Sequence, residues 1–247
     1  MKKVLLCAGL YLMCSFTGKV VTAGEHVSGE EMRMEAYISG VYQQIDFSGI
    51  DRLPYEVFDK AYRGYLNLKS SGMLKGQILT ICDFELASTE NRMWIIDMDK
   101  KKVLFNTYVA HGQGSGDDIA TSFSNKPNTH KSSLGFYVTG DTYNGEHGTS
   151  LRLNGMDTGY NDAAFERGIV VHGSGYVNDK IIDEKRRLGR SWGCPAVSSR
   201  LSRPIINTIK EGNCLFIYYP EKKYFSSSSW LNKKPVNMRL DAFEGGI

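Results

Sequence analysis

The chain has 247 residues, of which 41% are hydrophobic, so it is long enough to bury one large core or two small ones. Its formal net charge is +3, but three of its 30 basic residues and none of its 27 acidic residues lie in the first 23 positions, leaving 27 basic against 27 acidic. This balance, with no clustered basic face evident, argues against a nucleic-acid-binding surface.

Residues 1–23 have the pattern of a secretory signal peptide: Lys2 and Lys3, an apolar stretch over 4–16, and small residues at 21–23. The apolar stretch is too short for an ordinary membrane span. The pattern predicts export to the periplasm or cell envelope, with no integral membrane span in the mature form. A lipid anchor on Cys14 is the second alternative, because Met13 stands where such signals carry a small residue.

Three cysteines remain after removal of these residues: Cys82, Cys194 and Cys214. An odd number in an exported chain leaves at least one thiol unpaired. Three are also too few for a disulfide framework, so the fold must depend on its hydrophobic core.

Residues 24–76 predict an N-terminal helical cap. Within 54–68, four apolar residues recur at the spacing of one helix face, with Pro54 in the first turn. They are Phe58, Tyr62, Tyr65 and Leu66. An earlier helix is predicted around 30–42.

From residue 77 the pattern changes to short β-rich runs separated by Gly- and Asn-rich turns. These runs span residues 78–84, 93–98, 103–110, 136–139, 150–153, 169–171 and 214–219. Residues 201–210 predict a helix, and 225–247 form an unassigned C-terminal tail. Many short strands with few helices predict a mainly β domain over 77–224, a β-sandwich or partly open barrel with short helices.

Two neighbouring turns carry the candidate chemistry. The apolar run 169–171 ends on His172-Gly173, and the chain returns at Ser191-Trp192-Gly193-Cys194-Pro195. Glycine permits positive φ and proline fixes φ, so the thiol lies on a backbone of special shape. An imidazole and a thiol brought together are the parts of an activated cysteine nucleophile. Taken singly, each residue is also compatible with a structural role.

This stretch resembles the catalytic signature of the L,D-transpeptidases, cysteine enzymes that cross-link bacterial peptidoglycan. The family carries a strand ending in His-Gly, a loop, and Ser/Thr-x-Gly-Cys. Trp192 stands where the family usually has His, and Ala196 where it often has Asn or Arg. Segments 111–116 and 145–153 resemble a divergent branch with a G-R-S-W-G-C-P motif. The resemblance covers roughly residues 78–219.

The resemblance implies acyl transfer through a thioester on Cys194, with His172 moving the protons and the stem peptides of peptidoglycan as substrate. It implies 3→3 cross-links, or L,D-carboxypeptidase activity if water is the acceptor. No cofactor is expected, and the protein is expected to be a monomer. The backbone N–H groups of Gly193 and Cys194 are the candidate oxyanion donors. A neighbouring His172 is expected to lower the thiol pKa.

Ser191 is predicted to orient His172 or to contact substrate, with a turn-forming hydroxyl as the alternative. The candidate substrate-binding residues are Trp192, Arg190, Arg200, Gly173 and His111. Trp192 is expected in a cleft wall or in the core. For the two arginines, substrate carboxylates and structural ion pairs are alternatives. For His111, a competing base and a turn histidine are the alternatives.

Two other histidines and one loop complete the predictions. His147 is expected to shape the cleft and His130 to lie on the surface, while residues 174–189 are expected to form a solvated flap. No H-E-x-x-H motif or paired Cys-x-x-Cys is present, so no metal site is predicted. A zinc peptidase, a papain-like peptidase and a noncatalytic wall-binding domain are the remaining alternatives.

Overall fold

The computed structural model describes residues 29–233. The predicted signal peptide, with Cys14, and the last part of the predicted tail lie outside the described residues. Six helices are present in the described range: α1 Gly29–Gln44, α2 Tyr55–Ser70, α3 Asp179–Lys185, α4 Ser199–Ile209, α5 Lys222–Ser227 and α6 Ser229–Asn232. The eight strands of this range are β1 Ile78–Asp83, β2 Met93–Asp97, β3 Lys102–Thr107, β4 Gly135–Gly145, β5 Gly148–Gly155, β6 Val170–Ser174, β7 Ala196–Ser198 and β8 Cys214–Tyr218.

The strands form one mixed sheet in the order β3-β2-β1-β8-β4-β5-β6-β7. The last strand, β8, runs parallel to β1 and antiparallel to β4. β2 and β8 are buried along their whole length and β1 along nearly all of it, as expected for continuous apolar runs covered on both faces. The mainly β class predicted from the sequence is confirmed, together with all seven predicted strands.

The two predicted N-terminal helices are present as α1 and α2, and α2 packs against β1 and β8. Phe58, Tyr62 and Tyr65 on its inner face stack on one another with ring centroids 5.2 and 5.7 Å apart. These side chains belong to the same hydrophobic core as the sheet. The helical cap is therefore part of the domain's core rather than a unit with a core of its own.

Two parts of the chain differ from the expectation. Residues 174–189 contain α3, and Val177 and Leu188 on either side of it are buried in a small second cluster with Ala110 and Ala196. The ends of this segment thus pack beside the strand that follows Cys194, and the predicted solvated flap is wrong for these ends. The predicted tail begins inside α5, and the Trp230 indole N–H donates to the Met156 carbonyl at 2.6 Å.

Candidate active site

The turn that carries Cys194 is held by its own hydrogen bonds. Ser191 Oγ donates to the Cys194 carbonyl at 2.6 Å and accepts from the Gly193 N–H at 3.1 Å. Gly193 has φ +124°, and a Cβ there would lie 2.8 Å from the Lys131 carbonyl oxygen. Only glycine fits this conformation without strain. Ser191 therefore shapes the turn, which is the alternative role considered for it.

Neighbouring backbone fixes the position of this turn. The Ser191 N–H donates to the His111 carbonyl at 3.0 Å, and the Gln113 N–H donates to the Ser191 carbonyl at 2.8 Å. Ala110 and Ala196 exchange a second pair of backbone bonds at 2.8 and 3.3 Å. These backbone hydrogen bonds with residues 110–113 therefore fix the position of the turn that carries the thiol.

His172 lies on β6 with its side chain almost fully buried, at 3% exposure. Its Nδ1 is 3.0 Å from the Gly173 carbonyl oxygen. Because a carbonyl can only accept, Nδ1 carries the hydrogen and Nε2 keeps a free lone pair. Burial lowers the pKa of His172, against the raising effect of this hydrogen bond. The ring is thus a neutral imidazole at pH 7, the form that a general base requires.

Strand register places Cys194 beside β6, the strand that carries His172. β6 and β7 are parallel with His172 opposite Ala196, so Cys194 comes beside Val170, on the same face as His172. The thiol donates to the Gly168 carbonyl, with Sγ 3.7 Å from the oxygen, and accepts from the Val170 N–H at 3.5 Å. No hydrogen bond joins the thiol to His172 within the described chain.

The protonation of Cys194 differs from the expectation. Burial raises its pKa, while the Val170 N–H and the Arg167 guanidinium lower it by less. The expected lowering of the pKa by His172 is therefore wrong for the resting site. The resting pair is therefore a neutral thiol and a neutral imidazole.

Both groups open into one cleft of about 610 Å³. Ser191, Trp192, Arg190 and His147 share this cleft with them. Trp192 is 71% exposed and stacks on His130, with ring centroids 4.9 Å apart and planes 6° apart. Trp192 accordingly forms a wall at the cleft mouth, and the core alternative is wrong.

The two predicted arginines have different positions. Arg190 reaches the cleft, but its Nη1 is 2.8 Å from the Gly116 carbonyl oxygen and 3.1 Å from Asp117 Oδ1. Arg200 is exposed on α4 and does not line the cleft. Asp117 balances the charge of Arg190 only in part, because Arg187 Nε lies 2.8 Å from the same oxygen. Arg200 is not brought to the site.

Gly173 and His111, both predicted to bind substrate, are buried and do not line the cleft. A Cβ on Gly173 would lie 2.6 Å from Ser202 Oγ, so this glycine lets β6 approach α4 closely. His111 Nδ1 is 2.8 Å from Nη2 of the buried Arg92. Burial, and then the Arg92 charge, lower the pKa of His111 to about 4. Both residues therefore pack behind the cleft wall and do not contact the space inside the cleft.

The sequence predicts no role for Arg167, and for His147 it predicts only that the residue shapes the cleft. The β4–β5 hairpin brings the exposed His147 ring onto His172, with centroids 4.4 Å apart and planes 20° apart. Arg167 lines the cleft directly before β6. The position of Arg167 before the His172 strand was the one available signal, since its acceptors come from a loop more than 30 residues earlier.

Within residues 29–233, no group of three His, Cys, Asp or Glu side chains is arranged to hold a metal ion. In the same range, no helix combines the length and apolar character needed to cross a bilayer.

The mixed sheet thus places a buried imidazole and a thiol at one cleft. A family model described as the L,D-transpeptidase catalytic domain matches residues 50–218, and the chain belongs to this family. The match includes both turns of the site. No curated protein matches the chain in sequence.

Solved structures are also similar to part of the chain. An L,D-transpeptidase from Mycobacterium smegmatis is 11% identical, with 58% of this chain and 59% of that chain covered and a TM-score of 0.37. The helical cell shape determining protein Pgp2 from Campylobacter jejuni is 14% identical, with 65% and 57% covered and a TM-score of 0.38. The chain thus spans less than two thirds of the length of these two structures.

Proposed function

We propose that the protein is an exported cysteine acyltransferase that forms 3→3 cross-links between peptidoglycan stem peptides. The observation that carries the proposal is the shared cleft of Cys194 and His172 in a chain of this family. Export rests on the signal-peptide pattern of residues 1–23. The mature protein is proposed to act as a monomer in the periplasm or cell envelope, without a cofactor.

The reaction begins with proton transfer from the thiol of Cys194 to Nε2 of His172. The sulfur attacks the carbonyl carbon of the third residue of a tetrapeptide stem, and a tetrahedral oxyanion forms. The bond to the terminal D-alanine breaks, and the imidazolium returns its proton to the leaving amine. The amine of a second stem then attacks the thioester and gives its proton to His172. The carbon–sulfur bond breaks, and the imidazolium returns the proton to the departing thiolate of Cys194.

The oxyanion has one backbone donor in the turn. The Gly193 N–H already donates to Ser191 Oγ, and Pro195 has no N–H. The Cys194 N–H has no acceptor within the described chain, so it is the donor proposed for the oxyanion. Loss of one such donor typically raises the barrier by about 3 kcal/mol.

The proposal is tested by incubating residues 24–247 with purified disaccharide-tetrapeptide and identifying the products by mass. A cross-linked dimer supports transpeptidation, whereas tripeptide alone indicates the carboxypeptidase. Cys194→Ala should give neither product, and His172→Ala should slow acylation by ~10²–10⁴-fold. Both variants should unfold at the wild-type urea concentration. Activity that is lost with EDTA and restored by Zn²⁺ would instead establish the zinc peptidase.

A further inference from the structure

Arg167 is a fixed cation in the wall of the cleft. Its Nη1 donates to the Ser124 carbonyl at 2.7 Å and to Ser133 Oγ, and its Nη2 donates to the Lys131 carbonyl at 2.7 Å. All three acceptors are uncharged. Within the described chain no carboxylate pairs with it, in contrast to Arg190, which has Asp117.

The donors of this guanidinium are only partly used. An arginine has five N–H groups, and the three hydrogen bonds leave the Nε–H and one Nη2–H without an acceptor among the described residues. A cation that is about half-buried is normally paired, because removing it from water without a partner is costly. The side chain also lines the cleft, so an anion inside the cleft can reach it.

The position of Arg167 relative to the nucleophile indicates which anion fits. Its Nη2 lies 3.4 Å from the place where a Cβ on Gly193 would stand, so the guanidinium packs against the nucleophile turn. In a peptide attacked at Cys194, the residue that leaves lies one step beyond the attacked carbonyl, and consecutive Cα atoms are about 3.8 Å apart. If that residue is the last one, its carboxylate falls in the same part of the cleft.

We propose that Arg167 binds the terminal α-carboxylate of the donor peptide and thereby selects stems that end one residue after the bond that breaks. The peptide identity rests on the proposed function, but the carboxylate site does not. A stem that is one residue longer carries its carboxylate roughly 3.5 Å further along the chain, beyond the fixed guanidinium. Arg190 remains a weaker competitor because its Nη1 already bonds the Gly116 carbonyl and Asp117, a carboxylate that it shares with Arg187.

The carboxylate site is tested by alkylating Cys194 with iodoacetate and, separately, with iodoacetamide. Both reagents alkylate the same thiolate and are similar in size, so differences in thiol pKa and access cancel in the ratio of their rates. The ratio therefore reports the effect of the negative charge of iodoacetate. The wild-type ratio should exceed that of a cysteine peptide by about 10-fold or more, the effect of one charge-assisted hydrogen bond. Arg167→Met should return the ratio to the peptide value, and Arg167→Lys should keep part of the effect. Arg203→Met, which removes an exposed charge on α4, should leave the ratio unchanged.

A second measurement on the wild-type protein avoids any effect of substitution on folding. N-acetyl-D-alanine should protect Cys194 from iodoacetamide, and its amide should not. Equal protection by acid and amide, or an unchanged ratio in a folded Arg167→Met protein, would overturn the carboxylate site. If the site passes both tests while disaccharide-tetrapeptide is left unchanged, the proposed function fails and the carboxylate site stands.

Discussion

His111 should make the fold sensitive to acid by an amount that its burial sets. The pKa of this imidazole falls from 6.5 to about 4 in the folded protein because burial and the Arg92 cation disfavour its charged form. The unfolded chain therefore binds the extra proton first, and stability is lost as the pH falls from 6.5 toward 4. Each pKa unit corresponds to 1.36 kcal/mol. The loss attributable to His111 is then about 2.5 kcal/mol at pH 4.5, relative to pH 8.

The assay is urea unfolding of the wild type and of His111→Gln at pH 8 and at pH 4.5. The wild type should lose about 2.5 kcal/mol more than the variant on acidification. Burial raises the pKa of Asp83 to about 6, which gives the opposite slope, but Asp83 is present in both proteins and cancels in the difference. His130→Gln, at a partly exposed ring, is the control and should follow the wild type.

Two results would refute this account of His111. An unchanged difference between the wild type and His111→Gln at the two pH values would mean that the imidazole can be protonated without disturbing the fold. Loss of acylation in folded His111→Gln at pH 7.5, with acylation retained in His172→Ala, would show that the base has been assigned to the wrong histidine.

Three further outcomes are expected. Iodoacetamide should label Cys194 alone, as peptide mapping can show, because Cys82 and Cys214 are fully buried. The rate should climb between pH 6 and 8.5, since the pKa of Cys194 is raised. A rate that is already constant near pH 6 would instead indicate a thiolate. Gly193→Ala should lower the free energy of unfolding by about 1–3 kcal/mol, measured in urea, and slow acylation by displacing the turn. Trp192→Ala should leave the free energy of unfolding within about 0.5 kcal/mol, since the side chain is 71% exposed, and should raise KM for the tetrapeptide more than it lowers kcat.

The parts of the site that were predictable depend on local sequence. A β-branched apolar run such as 169–171 favours a buried strand, and the glycine and proline beside Cys194 favour a turn. The strands, α2 and the shared cleft of His172 and Cys194 agree with such signals. Strand β7 has only three residues, which is too short for a recognisable hydrophobic pattern, so the sequence did not predict it.

The remaining features depend on contacts between distant residues. His111 and His172 both follow a β-rich run and precede a glycine, so their local sequences do not distinguish them. The buried Arg92, 19 residues from His111, makes one of them a neutral structural ring. The prediction for the pKa of Cys194 was wrong for a similar reason. The sequence places His172 and Cys194 on neighbouring turns, but it does not establish a hydrogen bond between the imidazole and the thiol.

The central place of β8 has a consequence for how the protein acquires its fold. The strand that separates β1 from β4 is formed only by residues 214–218, so the two parts of the sheet on either side of it can be joined only when nearly the whole chain is present. Such a topology has a high contact order and is expected to fold slowly. Until β8 arrives, β1 and β4 are open edges that can pair with other chains, so a product that ends before residue 214 should aggregate rather than assemble a thiol site.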